Sequence, residues 1–401
     1  MKSINGGVCA AKGFLAAGLH TGIKQNMFKK DLALIFSEVQ AVSCGMFTTN
    51  KIKAACITIS KAHLKSNIAQ AIIANSGNAN CCTGKQGLED TLQTASSAAE
   101  LLGIRHNNVL VASTGVIGKL MPMGKVLNGI PLLVKRLGKN SSEAAEAIMT
   151  TDLVKKETAI SFKIGKDVVT IGGMAKGSGM IHPNMATMIS FITTDAAIEA
   201  KALKAALKYC VDNSFNCISV DADMSTNDMV IVLANGMADN KKITLHTKEA
   251  FGEFTKGLLE VTKTLAKMIA ADGEGATKFI EVLVKGAKNQ ADAKLAARAV
   301  CNSLLVKTAI YGQDANWGRV AAAVGATKAS VSGDKLSIYF GNTKILNNGT
   351  PVNADENKLK DILSKKEIKI TVDLGLGKSS ATMWTCDLSE EYIKINAKYR
   401  T

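Results

Sequence analysis

Apolar residues recur along the chain in two periods. Leu88, Leu92, Ala95, Ala99 and Leu102 fall at helical spacing. So do Phe251, Phe254, Leu258, Val261, Leu265 and Met268, which predicts a helix of about five turns ending near Asp272 and Gly273. A third helix is predicted after Asp195, its N-cap, with Ile198, Ala202, Ala206 and Cys210 on one face. Short apolar runs predict strands at 71–74, 109–112, 168–171, 188–193, 229–234, 279–284 and 368–372. Helices and strands alternate, so the chain reads as a mixed α/β protein. Two of the strands run into turns rich in glycine and asparagine, at 75–80 and 113–118. Loops at strand ends are where sites are commonly built.

Length and composition enlarge this picture without redirecting it. The chain has 401 residues, 47% of them hydrophobic, enough for two or three domains or one large intertwined unit. There are only 4 prolines and no low-complexity tract, so the chain should fold nearly throughout. The net charge of +15 could draw nucleic acid, anionic lipid or acidic small molecules. The lysines are scattered, however, and aromatics make up 4% with no RNA-binding pattern among them. That favours the solvated surface of a soluble enzyme over a nucleic-acid binder. Nine cysteines are dispersed with no C-x-x-C pair, and adjacent Cys81 and Cys82 suit neither zinc nor a disulfide framework. They read as reduced thiols. Lys12 and His20 interrupt the first apolar stretch, and no run of eighteen apolar residues occurs, so a cytoplasmic protein without a membrane span is expected.

Two apparent ligand motifs fail on inspection. Asp221-x-Asp223-x-Ser225 resembles the start of a calcium loop, but Thr226 and Val232 stand where glycine and glutamate are needed, so no metal is expected. Gly172, Gly173, Gly177 and Gly179 match neither a phosphate-binding loop nor a dinucleotide fingerprint.

The segment from Gly172 to Phe191 is the most informative. A glycine-rich run leads through Pro183 to Ala186, and Thr187 opens an apolar strand. If that turn is strained, the Thr187 hydroxyl can attack the Ala186 carbonyl, and water can open the resulting ester. Thr187 would then carry a hydroxyl and a free α-amine, whose pKa of about 7.7–8.0 lets it take the proton from its own hydroxyl. The five histidines lie far apart and make no Ser/His/Asp pattern. Taken by residue type alone, a threonine before a strand reads far more readily as an ordinary β-former.

The run Lys176 to Met188 (KGSGMIHPNMATM) resembles the self-cleavage site of the ornithine acetyltransferase family, the bifunctional glutamate N-acetyltransferases of arginine biosynthesis. The likeness extends along the chain. It includes Lys12-Gly13-Phe14, Phe47-Thr48-Thr49-Asn50, residues 75–84 (NSGNANCCTG) and 113–118 (STGVIG). Further on it includes Ser225-Thr226-Asn227-Asp228, residues 272–278 (DGEGATK), Asn316-Trp317-Gly318-Arg319 and residues 395–401 (INAKYRT). The resemblance implies a sheet-on-sheet sandwich flanked by helices, shared with self-processing aminopeptidases, with a smaller second domain. It implies chains of residues 1–186 and 187–401 that stay interleaved, two copies of each assembling together. Thr187 would be the nucleophile, and Thr114 and Gly115 the oxyanion hole. Lys176, Glu274, Asn396 and Thr401 would contact the substrates, N-acetylornithine and glutamate. No cofactor is implied, although some members also take acetyl from acetyl-CoA.

Three positions depart from the family pattern. Leu153 replaces a threonine that touches substrate, and Thr151 could substitute for it. Ala222 stands where glycine is usual, and Ala315 where proline is. Two other readings remain open: an N-terminal-nucleophile amidohydrolase or aminopeptidase of the same fold, and a basic nucleic-acid-binding protein.

Overall fold

The computed structural model describes residues 1–182 and 188–398. Ala186, Thr187 and Thr401 therefore lie outside the described residues.

Nine strands belong to the larger sheet: β1 (Lys2–Ile4), β2 (Phe14–Leu19), β3 (Leu32–Phe47), β4 (Ile68–Asn78), β5 (Val109–Val116), β6 (Lys156–Ile164), β7 (Asp167–Lys176), β8 (Ile189–Thr194) and β9 (Met229–Ala234). The path runs β1-β6-β7-β8-β9-β3-β4-β5, with β2 beside β3. The long strand β3 is shared. Its first part pairs with β2 and β4, its last part with β9, and its register with β4 shifts between Phe36 and Ala41. Phe14, Ile35 and Ile73 from one side of this division share a core with Met174, Phe191 and Ile231 from the other. Helices α1 (Ala55–His63), α2 (Gly84–Leu102), α3 (Met123–Lys135) and α4 (Ser141–Ala147) contribute to the same core.

Helices α5 (Ala200–Asp212) and α6 (Lys248–Ala271) bury Leu203, Cys210, Leu258 and Leu265 with Phe162, Ile171, Ile192 and Val232 of the sheet. This second core continues into a six-stranded sheet of β10 (Phe279–Ala287), β11 (Ser337–Phe340), β12 (Thr343–Asn347), β13 (Thr350–Pro351), β14 (Glu367–Asp373) and β15 (Ser379–Cys386). Around it come α7 (Gln290–Asn302), α8 (Leu304–Tyr311), α9 (Trp317–Gly325) and α10 (Glu356–Ser364), and α11 (Glu390–Lys398) ends the described chain. The expected sheet-on-sheet arrangement flanked by helices is therefore present, and the smaller sheet shares a core with α6.

Strands β8 and β9 follow residue 187 in sequence, yet lie between β7 and β3, which precede it. The two halves of the chain are thus interleaved within one sheet. Ile189 pairs with Lys176, and the Met188 carbonyl accepts the Met229 N–H at 3.1 Å.

Asp195 is not a helix N-cap. The helix starts at Ala200 after Glu199, because Ile198 makes an extended bridge to Ile243. Asp195 accepts backbone N–H groups from Lys12 (3.1 Å) and Thr170 (2.8 Å) instead. Those bonds tie three separate segments together. No described helix is long and apolar enough to cross a membrane.

Candidate active site

The site is assembled where strands end. The adjacent β4 and β5 run parallel, setting Ser76 beside Thr114 and Gly77 beside Gly115. Gly115 has φ +130°, and a Cβ there would overlap the backbone of Gly77 and Asn78. Only glycine fits, which explains the residue type at that turn. Asn227 locks the neighbouring segments: its side-chain amide donates to the carbonyls of Ala79 and Ser113, both at 2.7 Å. Thr48 Oγ1 donates to the Ser225 carbonyl at 2.9 Å, so the Phe47–Asn50 and Ser225–Asp228 motifs support one another.

On the opposite side, β7 ends at buried Lys176. Burial pulls its ammonium below the ordinary lysine value, opposed chiefly by the charge of Asp152 and further by Asp228 and Glu274. Beneath it lies a buried polar network. Lys156, 0% exposed, binds Asp152 Oδ1 at 2.7 Å and Asp272 Oδ2 at 2.5 Å. Asp152 also accepts the N–H groups of Gly177 (2.7 Å) and Thr150 (2.9 Å). Burial works to raise the pKa of Asp152. The Lys176 and Lys156 charges outweigh it and hold the carboxyl well below the usual carboxylate range. Ser178 Oγ donates to the Asp272 carbonyl at 2.6 Å, and the Glu274 N–H donates to the Ser178 carbonyl at 3.1 Å. The glycine-rich run and the loop after α6 are thereby fixed to each other.

Helix α11 closes a third side. Asn396 Nδ2 donates to Glu274 Oε2 at 2.8 Å, and Tyr392 Oη donates to Asp221 Oδ2 at 3.3 Å. Asp221 also accepts the N–H groups of Met180 and Ile181, at 2.5 and 2.8 Å.

Between these elements lies a polar cavity of about 250 Å³. Thr114, Gly115, Thr151, Lys176, Glu274 and Asn396 all line it, so every sequence-predicted site residue within the described chain converges on one space. Leu153 does not reach it. The residue is 79% exposed, and its N–H donates to Asp272 Oδ2 at 3.1 Å. Thr150 and Thr151 supply hydroxyls to the lining instead. Ala222 takes φ +67°, the left-handed conformation that glycine adopts most readily.

Sequence reading missed three contributors. Asp221 was visible only as part of a failed calcium motif. Tyr392 lies on a terminal helix whose residues are mostly exposed and carry no strong apolar period. Lys156 gave no signal, since one lysine among many reads as solvated. Among the described residues no three His, Cys, Asp or Glu side chains gather to hold a metal ion. The lining brings together a buried lysine, carboxylate residues, threonines and the backbone of Gly115 around one small space. Such a set can orient a ligand bearing both ammonium and carboxylate groups, and can stabilise an oxyanion.

A family model described as the ArgJ family matches residues 15–401. The arginine biosynthesis bifunctional protein ArgJ of Caldanaerobacter subterraneus is 52% identical over 407 residues, covering 100% of both chains. Its counterpart in Symbiobacterium thermophilum is 50% identical over 403 residues, again covering 100% of both. The crystal structure of arginine biosynthesis bifunctional protein argJ from Bacillus halodurans matches at 42% identity and a TM-score of 0.51. The match covers 98% of that solved chain but 52% of this one.

Proposed function

The chain belongs to the ArgJ family, and on that premise we propose that it moves an acetyl group from N-acetylornithine to glutamate by way of an ester on Thr187. It is an acyltransferase of arginine biosynthesis. The observation that carries the mechanism is the convergence of Thr114, Gly115, Lys176, Glu274 and Asn396 on one cavity, which the ends of β5 and β7 help to line.

The chain first cuts itself between Ala186 and Thr187. A match to a solved relative whose whole length spans about half of this chain supports a cut near the middle. The interleaving of β8 and β9 between β7 and β3 keeps the two pieces in one sheet afterwards. Thr187 then uses its α-amine as base. Its Oγ attacks the acetyl carbonyl of N-acetylornithine while the Oγ proton passes to the amine. The Thr114 hydroxyl and Gly115 N–H bind the oxyanion. The C–N bond breaks, the proton moves to the leaving nitrogen, and ornithine departs from an acetyl-threonine ester. Glutamate attacks that ester through its amine and regenerates Thr187. Lys176 binds substrate carboxylate, and Glu274, oriented by Asn396, receives the ammonium group. Thr151 contributes the hydroxyl that Leu153 cannot offer, and Thr401 adds a terminal contact. Two copies of each piece assemble in the cytoplasm, without bound cofactor. The two-activity name of the relatives supports acetyl-CoA as a second donor.

Replacement Thr187→Ala tests this reading: an uncut protein without transfer is expected, and transfer at the wild-type rate would exclude Thr187 as nucleophile. A hydrolase would release acetate whether or not glutamate is present, so acceptor dependence of ornithine release separates the two chemistries.

A further inference from the structure

A second cavity, of about 480 Å³, opens between α6 and α7 over β15. Helix α6 brings Glu260, Lys263 and Lys267 to it, and α7 brings Lys294 and Arg298 one turn apart. Two carboxylates stand against four cations. Glu281 is already committed: Lys267 lies 3.7 Å away, Lys369 3.4 Å, and Trp384 Nε1 donates to it at 3.1 Å. That leaves Glu260 as the remaining carboxylate of the lining for Lys263, Lys294 and Arg298. None of the three forms an ion pair among the described residues. The Nε of Arg298 is buried and has no hydrogen-bond partner. All three also act on one thiol of the lining: burial raises the pKa of Cys217, and Lys294, Lys263 and Arg298 each work to lower it.

We propose that this groove is a binding site for a phosphate-bearing ligand. A lone carboxylate would leave much of the charge from two helices unmatched. A phosphate offers several strong acceptors to the guanidinium fork and to both ammonium groups. Asn213, Gln290, Ser380 and Thr382 supply neutral donors around them. The groove is distinct from the polar cavity, and the chain passes from Cys217 in one to Asp221 in the other. Free polyphosphate and the phosphates of a coenzyme A thioester share the required chemistry.

Calorimetry on the full-length protein, as purified and at low salt, tests this with three probes: pyrophosphate, adenosine 3′,5′-bisphosphate and coenzyme A. Saturable binding that weakens as salt rises is expected. Lys263→Ala and Lys294→Ala, both at partly exposed positions, should each weaken it roughly tenfold, while N-acetylornithine–glutamate exchange stays within about twofold of wild type. Tighter binding of coenzyme A than of pyrophosphate supports the site and assigns it to a thioester. Equal binding supports it and assigns it to free polyphosphate. The proposal is overturned if no probe saturates, or if the folded double variant binds as well as wild type. Because binding is read directly, this outcome is independent of whether Thr187 is the nucleophile.

Discussion

Asn396 Nδ2 lies 2.8 Å from Glu274 Oε2, joining α11 to the loop after α6. The contact is reinforced nearby, where Ser389 Oγ donates to the Gly275 carbonyl at 2.5 Å. A Cβ on Gly275 would overlap the Tyr392 backbone, so the helix and loop are in close contact. Asn396→Ala removes a donor to a carboxylate that we assign to substrate ammonium. A hydrogen bond to a charged group contributes about 1.5–3 kcal/mol. We therefore expect kcat/KM for N-acetylornithine to fall roughly tenfold or more, with little change in melting temperature because Asn396 is exposed. An unchanged kcat/KM would separate Glu274 from the substrate.

Gly115→Ala should be more severe. The added Cβ meets backbone on both Gly77 and Asn78, so no side-chain rotation relieves it. The Gly115 N–H must then move, and loss of one oxyanion donor costs about 10²–10³ in rate. Single-turnover transfer measured beside far-UV circular dichroism checks this. A folded variant with wild-type kcat would show that the N–H is not a donor to the reaction.

Lys156→Met tests the network below Lys176. The substitution leaves Asp152 and Asp272 buried without their shared cation. Removing one partner of a buried ion pair costs about 3–5 kcal/mol. Urea unfolding should report a loss of that size. A loss below about 1 kcal/mol would place the charges in effective contact with water.

Thiols set the alkaline limit of stability. Burial pushes Cys44, Cys56, Cys210 and Cys301 up to about 12, and Cys9 to about 11. An unfolded thiol ionises near about 8.5, so between these values the unfolded chain has lost protons that the folded chain retains. Their stabilising contribution is complete below the unfolded value and disappears as pH rises through the folded one. Burial lowers Lys24 to about 8 and also lowers Lys176 and Lys61, which acts in the opposite sense, but these are three groups against five. Melting temperature should decline steadily above about pH 9. A flat profile from pH 9 to 11 would contradict the assignment of these groups as buried. Cys82 is the exposed thiol and should react first with an alkylating reagent in the native protein.

The readable parts of the fold were those in which one force dominates. Residues 229–234 are all apolar and all buried, and the predicted strand matches β9 at both ends. The helix over 251–268 has the right period because one face of α6 packs on the sheet. Asp195 was misread because an acid before an apolar period looks like a cap, whereas here it bridges distant segments. Strands β11 to β13 are too short to carry a pattern of their own. At the site, Thr114, Lys176 and Glu274 were named only through family resemblance. Their spacing in sequence says nothing of their meeting, which depends on the ends of β5 and β7 and the loop after α6. Lys156 was invisible because its partners lie 4 and 116 residues away.

The most direct measurement is the mass of each polypeptide in active enzyme, taken after brief exposure to N-acetylornithine without glutamate. Two pieces are expected, one ending at Ala186 and one starting at Thr187, with a single acetyl group on the second that glutamate removes. A fully active chain still intact across residues 186 and 187, or an acetyl group carried elsewhere, would contradict this expectation.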